Sequence, residues 1–447
     1  MLVFIGILLG IISSIIMQTV LAAVLPSVAE DLGNSQLYSW VFSGYLIIST
    51  ITIPIFAKLA DLFGRKRFYL GGMAIFLSGT LLCGTSQSME QLVIFRLLQG
   101  FGAGISSPAA IAMISDIFPV AKRGKILGIM ASAQVVANVA GPLIGGYFAE
   151  SFGWQWAFWA ALPIGVFAVI IVAVVFMEDT THGPKIKARQ VDFMGGLLLG
   201  IVTVLIIQGF KVLYIHGFVH TLINFAIAGL FFRLFVKQEK NHIDPVISSD
   251  LLKTKNIKVC LISTFLLGAV MYGIIVILPI FANLYFGAAP LQGGKLLLPL
   301  ALGLGIGGNL SGTLTTGVFR YSFITTAGWI TTASAFCFLA VFSIKKLYYF
   351  AFLGILFIVG LGLGGLFPIF LLSGQNAVAK NQRAVIGGLI QMSRNLGGAV
   401  GVPLLTGLMI LPSSGSGIRY NNYYVGLFLI LTIVSVMGAL IGLRLKD

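Results

Sequence analysis

Apolar runs of about 20 residues recur along the whole chain, and each is long enough to cross ~30 Å of hydrocarbon as a helix. No other feature limits the fold as much. Strands that cross a bilayer alternate polar and apolar residues, and these runs do not alternate, which argues against a β-barrel. Composition agrees. Hydrophobic residues make up 58% and charged residues 9%, with a mean hydropathy of +1.03, outside the range of water-soluble globular proteins. The 55 glycines would weaken soluble helices, but in a membrane they let helix backbones approach closely.

A window of ~20 residues gives about fourteen spans, so the expected fold is an all-α integral membrane protein with about 14 transmembrane helices. The spans fall near 3–26, 37–57, 68–86, 91–115, 124–148, 156–177, 193–213, 218–236, 257–285, 291–316, 322–343, 347–373, 385–411 and 423–443. The first run has no basic leader or cleavage site and reads as a retained helix. The longest hydrophilic stretches, 178–192 and 237–258, bracket the seventh and eighth spans. This implies two pseudosymmetric six-helix bundles, 1–178 and 257–447, plus two linking helices in 179–256. No stretch outside the membrane is large enough for a core of its own. No G-x-x-x-x-G-K-[ST] loop occurs, so the chain carries no nucleotide-driven motor.

Twenty-one of the 28 Lys and Arg residues fall in one alternate set of loops and four in the other, which puts both termini in the cytoplasm. Lys345 and Lys346 break the pattern, at a segment end from which they can snorkel. The net charge of +15 therefore marks topology, and nucleic acid is not expected as a partner. Cys83, Cys260 and Cys337 lie in apolar segments without ligand spacing and read as small buried residues. The four histidines do not cluster, so neither metal nor cofactor is expected. An enzyme would need a nucleophile with its base, or a metal cluster, and neither is evident. A channel would show a filter, and none is apparent.

Polar residues inside this apolar background are few. The turn Ala57–Arg67 packs five charges between two apolar runs. Asp61 and Arg65 are four apart, and Gly64 permits a tight approach or a positive φ. Asp116, just before Pro119, is within range of Arg65 or Arg67 across the helix ends. Either these charges form a cytoplasmic latch or the basic turn only fixes topology. Arg96, Gln99, Gly100 and Ala103 share one helical face. An Arg inside a span is costly, and it either points into the protein or snorkels outward. Gln134 and Asn138 precede Gly141-Pro142-Leu143-Ile144-Gly145-Gly146, where small residues make a packing face and Pro142 a kink. Gln391, Arg394, Asn395 and Gly398 share a face near the end of the chain. Arg394 is read as the counterpart of Arg96, either facing an anionic or polar ligand or capping helix ends. Tyr45, Tyr272 and Phe367 are possible pocket residues that nothing in the sequence separates from other aromatics.

Four of these segments resemble signatures of the major facilitator superfamily. The charged turn is similar to G-x-L-A-D-x-x-G-R-[KR], with Ala57 in place of the first Gly; that loop joins helices two and three and helps gate access. Arg96-Leu97-Leu98-Gln99-Gly100 resembles R-x-x-Q-G, which is linked to proton handling. Residues 137–146 resemble G-x-x-x-G-P-x-x-G-G of the antiporter branches, with Ala137 replacing a Gly. Thr19–Pro26 resembles D-x-T-V-V-N-V-A-L-P of the fourteen-helix drug:proton antiporter-2 family. Met17 occupies the acidic position of that motif and Ala22 the Asn position; Gln18 is polar but carries no proton.

The resemblance implies a monomeric, multi-pass transporter of the plasma membrane, with two bundles rocking around a central site. It implies proton-coupled export of small amphipathic compounds, with Gln18, Arg96, Gln99, Gln134, Asn138, Gln391, Arg394 and Asn395 along the substrate or proton pathway. Gly100, Gly141, Pro142, Gly145 and Gly146 would serve packing and hinge. The missing first-helix acid leaves an alternative open: an exporter or flippase of an anionic metabolite or lipid that uses Arg96 and Arg394.

Overall fold

The computed structural model describes residues 2–34, 37–118, 120–176, 192–215, 218–242, 254–286, 290–315, 320–343, 349–378, 383–410 and 421–445. Among them all regular structure is helical. The helices are α1 (Leu2–Leu32), α2 (Tyr38–Phe63), α3 (Arg65–Gly84), α4 (Met89–Ile117), α5 (Val120–Ser151), α6 (Trp154–Trp159), α7 (Leu162–Val175) and α8 (Phe193–Ile215). They continue with α9 (Phe218–Asn241), α10 (Lys255–Phe286), α11 (Pro290–Thr315), α12 (Tyr321–Ser343), α13 (Tyr349–Asn376), α14 (Arg383–Ile410) and α15 (Asn421–Gly442).

Every expected span falls on a helix, the sixth on the broken pair α6–α7. Pro163 sits in the first turn of α7, where a missing N–H costs nothing, so the chain restarts there instead of running through. Among the described residues, nine helical segments are long and apolar enough to cross a membrane. The apolar stretches Tyr38–Ile53 and Phe193–Gly209 are shorter. Large apolar side chains such as Phe167, Val174, Phe323 and Phe350 are exposed on these helices, a surface suited to hydrocarbon.

The helices form two compact units. Unit 1 holds Met1–Leu205, Ala226–Val246 and Pro279–Lys295; unit 2 holds Ile206–Phe225, Ile247–Leu278 and Leu296–Asp447. The linking pair α8–α9 is divided between them. In unit 1, α4 packs along α2 and α3, α1 along α5 and α7, and α3 against α6 and α7. In unit 2, α12 packs on α13 and α15, and α14 on α13. There α10 also meets α14, where Gly268 abuts the Arg394 carbonyl, and α11 meets α13 at Gly303 and Gly360.

Helix ends are fixed by side chains. Ser88 caps α4 by accepting from the Gln91 N–H at 3.3 Å, and Gln91 in return accepts from the Gln87 N–H at 3.0 Å. At the same end, Asn34 donates to Glu90 at 2.6 Å and the Trp154 indole donates to Asp31 at 2.8 Å, tying α1, α4 and α6 together. Asp192 starts α8 by accepting from the Gly195 N–H at 2.8 Å, and Gln238 of α9 donates to the same oxygen at 3.1 Å.

One expectation is corrected here. Cys83 and Cys260 are buried, but Cys337 is exposed, in a groove between α12 and α15. An apolar helix surrounded by lipid has an outward face as apolar as its inward one, so apolar neighbours in sequence do not distinguish the two.

Candidate functional site

The charged turn is almost entirely helix. Gly64 alone separates α2 from α3, with φ 107° and ψ 123°, a backbone conformation that L side chains rarely adopt. Its N–H still bonds the Ala60 carbonyl at 3.1 Å, so α2 ends without an orphan donor and the chain reverses in one residue. This reversal aims the first turn of α3 at neighbouring helix ends. Arg65 donates to the Ala112 carbonyl of α4 at 3.1 Å, one turn before Asp116, and Lys66 donates to the Phe176 carbonyl after α7. Arg67 is exposed. The side chains of Asp61 and Asp116 lie outside the described residues, as does that of Gln134.

Arg96 is fully buried in unit 1. Its Nε donates to the Val41 carbonyl at 3.1 Å, and its Nη1 donates to Gln99 Oε1. Gln99, also fully buried, passes the chain on: its Nε2 donates to Thr80 Oγ1 at 2.6 Å, and Thr80 donates to the Phe76 carbonyl at 2.8 Å. The guanidinium carbon lies 4.4 Å from the Tyr45 ring centroid, a cation–π contact. Only Nη2 is without an acceptor. Three helices meet here because two glycines let them. A Cβ on Gly79 of α3 would lie 2.7 Å from the Gln99 nitrogen, and one on Gly100 of α4 would lie 2.6 Å from the Tyr45 carbonyl oxygen. Arg96 thus points inward rather than snorkelling.

The segment around Gly141 packs on the first-helix motif. A Cβ on Gly145 would lie 2.9 Å from the Val20 carbonyl oxygen, and Gly141 abuts the Thr19 hydroxyl. Gly146 is buried, Pro142 lies within a continuous α5, and Asn138 and Gln18 are half-buried. Met17, at the position where the resembling family carries an acid, is fully buried.

In unit 2, Gln391 donates to Asn395 Oδ1 at 3.1 Å along α14, and Ser393 donates to the Leu261 carbonyl of α10 at 2.7 Å. Arg394 is half-buried, its guanidinium carbon 4.1 Å from the Phe367 ring centroid of α13. Its Nε is buried without an acceptor. The sequence pairs Arg394 with Arg96, but the two are not equivalent in place. Arg96 lies on α4, between α2 and α3, whereas Arg394 lies on α14, against α10 and α13. Sequence reading had no signal for Val41, Thr80 or the choice of Tyr45 and Phe367, because each acts from another helix. An apolar groove of 680 Å³ between α12 and α15, lined by Ile330, Phe338 and Leu440 among others, includes none of these candidates.

Among the described residues, all-helical structure with several long apolar helices and an arginine sealed inside a helix bundle defines the class of polytopic membrane proteins. The model of the Major Facilitator Superfamily matches residues 7–402, and the chain belongs to that family of transporters. It is 31% identical over 389 residues to Multidrug transporter protein MdtP of Bacillus subtilis, covering 86% of this chain and 70% of that protein. To Multidrug resistance protein 3 of the same organism it is 31% identical over 65% of this chain and 56% of the relative. An uncharacterized MFS-type transporter of Mycobacterium tuberculosis is 32% identical over 70% of this chain and 45% of its own length. The chain thus spans about half to 70% of the length of these relatives. Its fold is similar to the crystal structure of the human organic anion transporter MFSD10 (TETRAN), with a TM-score of 0.62 and 16% identity, covering 97% of this chain and 98% of the other.

Proposed function

We propose that the chain is a secondary active exporter of small amphipathic compounds in the plasma membrane, working by alternating access and driven by the proton gradient. The observation that carries this reading is the 31% identity to Multidrug transporter protein MdtP over 86% of the chain. In this reading fourteen helices cross the membrane, as two pseudosymmetric six-helix bundles within 1–178 and 257–447 plus the α8–α9 pair. A repeated packing scheme supports it. The pairs α1–α5, α2–α4 and α3–α4 in unit 1 match α10–α14, α11–α13 and α12–α13 in unit 2, and α3 with α6–α7 matches α12 with α15. The Lys and Arg asymmetry supports cytoplasmic termini. The transporter works as a monomer.

Asp61, Gly64, Arg65, Arg67 and Asp116 form the cytoplasmic latch, a role supported by the bond from Arg65 to Ala112 beside Asp116. Such a bond must break when that face opens. Gly100, Gly141, Pro142, Gly145 and Gly146 let helices slide in contact, supported by the backbone approaches of Gly100 and Gly145. Gln18, Arg96, Gln99, Gln134, Asn138, Gln391, Arg394 and Asn395 line or support the substrate and proton pathway.

The test is ethidium movement in proteoliposomes under an imposed pH gradient, with a pH-sensitive dye reporting proton flow in the opposite direction. Gradient-dependent ethidium movement with matching proton flow is the expected result. Movement that ignores the gradient would overturn proton coupling. If ethidium and other amphipathic dyes of any charge stay put, the exporter reading fails.

A further inference from the structure

Arg96, fully buried, and Arg394, half-buried, divide into one that the protein satisfies and one that it does not. Arg96 spends its charge on the Val41 carbonyl, on Gln99 and on the face of Tyr45. Arg394 makes no hydrogen bond or ion pair among the described residues. Its one partner among them is the Phe367 ring, which covers a face of the guanidinium and accepts no proton from Nε. Arg394 lies eleven residues into the 28-residue α14, roughly 16 Å along its axis. A cation that far inside a helix of a membrane transporter is expensive unless something pairs with it.

Among the described residues no carboxylate pairs with it. Residues 251–446 contain not one Asp or Glu. The remaining acids within described helices, such as Glu30, Asp61, Glu90, Asp116, Glu150 and Glu239, sit within a few residues of helix ends. None is at mid-helix depth. Beside Arg394, Gln391 and Asn395 add amide groups on the same face of α14. A planar guanidinium backed by an aromatic ring and flanked by amides is a receptor for a planar or tetrahedral oxyanion attached to an apolar body.

We propose that Arg394 seats the acidic group of the exported compound, a carboxylate or sulfonate on an aromatic body, with Phe367 stacking behind the guanidinium and Gln391 and Asn395 beside it. Arg96, whose bonds are made within unit 1, takes no part in this seat. The proposal rests on the exporter reading and adds to its substrates amphipathic compounds that carry an acidic group.

The probe is anilinonaphthalene sulfonate, compared with its uncharged parent phenylnaphthylamine, which keeps the same rings. Both fluoresce in apolar surroundings, so binding to the purified chain and export from proteoliposomes are read with the same pair. Wild type is expected to prefer the sulfonate, and Arg394→Gln to lose about tenfold to a hundredfold in sulfonate affinity with little change toward the parent. Arg394→Lys restores part of the preference, and Phe367→Leu weakens it without removing the charge. A loss confined to the sulfonate in a variant that still binds the parent separates recognition from misfolding. Equal handling of the two probes, or a preference that survives Arg394→Gln, overturns the proposal. If ethidium is exported under either of those results, the exporter reading stands without it. If nothing is exported, the exporter reading fails, and sulfonate binding lost in Arg394→Gln still upholds the anion seat. Vesicles of phosphatidylcholine, with and without phosphatidylglycerol, supply the last arm. Abolition of sulfonate binding by the anionic lipid would assign the seat to a lipid headgroup and overturn the proposal.

Discussion

Replacing Gln99 with Leu tests whether the buried chain from Arg96 to Thr80 holds unit 1 together. Leu has about the volume of Gln, so no cavity opens and the cost lies in hydrogen bonds. One is charge-assisted, Arg96 to Gln99, of a kind worth ~1.5–3 kcal/mol. The other is a neutral bond between helices, Gln99 to Thr80, of a kind that averages ~0.6 kcal/mol in membranes. Nη1 then joins Nη2 as a buried donor without an acceptor. The sum is about 2–4 kcal/mol, or roughly a thirtyfold to several-hundredfold rise in local opening. Two buried thiols report it separately. Cys83 lies on α3, in unit 1, and Cys260 on α10, in unit 2. With the exposed Cys337 replaced by Ser, a thiol-reactive dye labels only on opening, and when reclosing is fast its rate follows the open population. Gln99→Leu is expected to speed labelling of Cys83 by that factor and to leave Cys260 near the wild-type rate. Gln99→Glu, which keeps an acceptor for Arg96, is expected to protect Cys83 at least as well as the wild type. Unchanged Cys83 labelling in Gln99→Leu would refute the view that the network bears on stability. Equal acceleration at both thiols would refute its confinement to unit 1.

Two further outcomes follow from backbone geometry. Gly64→Ala forces a side chain into a φ of 107°, at a cost of about 1–3 kcal/mol, and is expected to lower the thermal midpoint of dye labelling; Gly64→Asn should not rescue it, because ψ is 123° rather than that of a left-handed turn. Gly268→Ala drives a Cβ into the Arg394 carbonyl, where only backbone can yield, and is expected to destabilise unit 2 by ~1–3 kcal/mol or more. Gly388→Ala, on α14 with nothing within 4 Å, should instead stabilise it by about 0.5–1 kcal/mol, and a Cys260 labelling rate that moved the same way in both variants would contradict the close packing of α10 on α14.

How much of this could be read from sequence depends on which helix holds the partner. The positions of the helices were readable because a run of apolar residues long enough to cross a bilayer has few other uses. Their ends were less so. The charges of the turn at 57–67 suggested a loop, whereas all but Gly64 continue as helix, since Lys and Arg cost a helix little. Arg96 and Arg394 look alike on a helical wheel, each with an amide residue on its face. What separates them lies elsewhere in the chain, in the Gly79 that brings Thr80 within reach of Gln99 and in the Phe367 that offers Arg394 a ring and no acceptor. Single-helix reasoning has no access to either. The charge balance did. A stretch from 251 to 446 with no carboxylate cannot neutralise an arginine inside one of its own helices, whatever those helices pack against. That count stands beside Met17, at the position where the resembling antiporter motif carries an acid. Within its helix interiors this chain keeps arginines rather than acids, and on the proposed reading the compound that answers Arg394 is an anion.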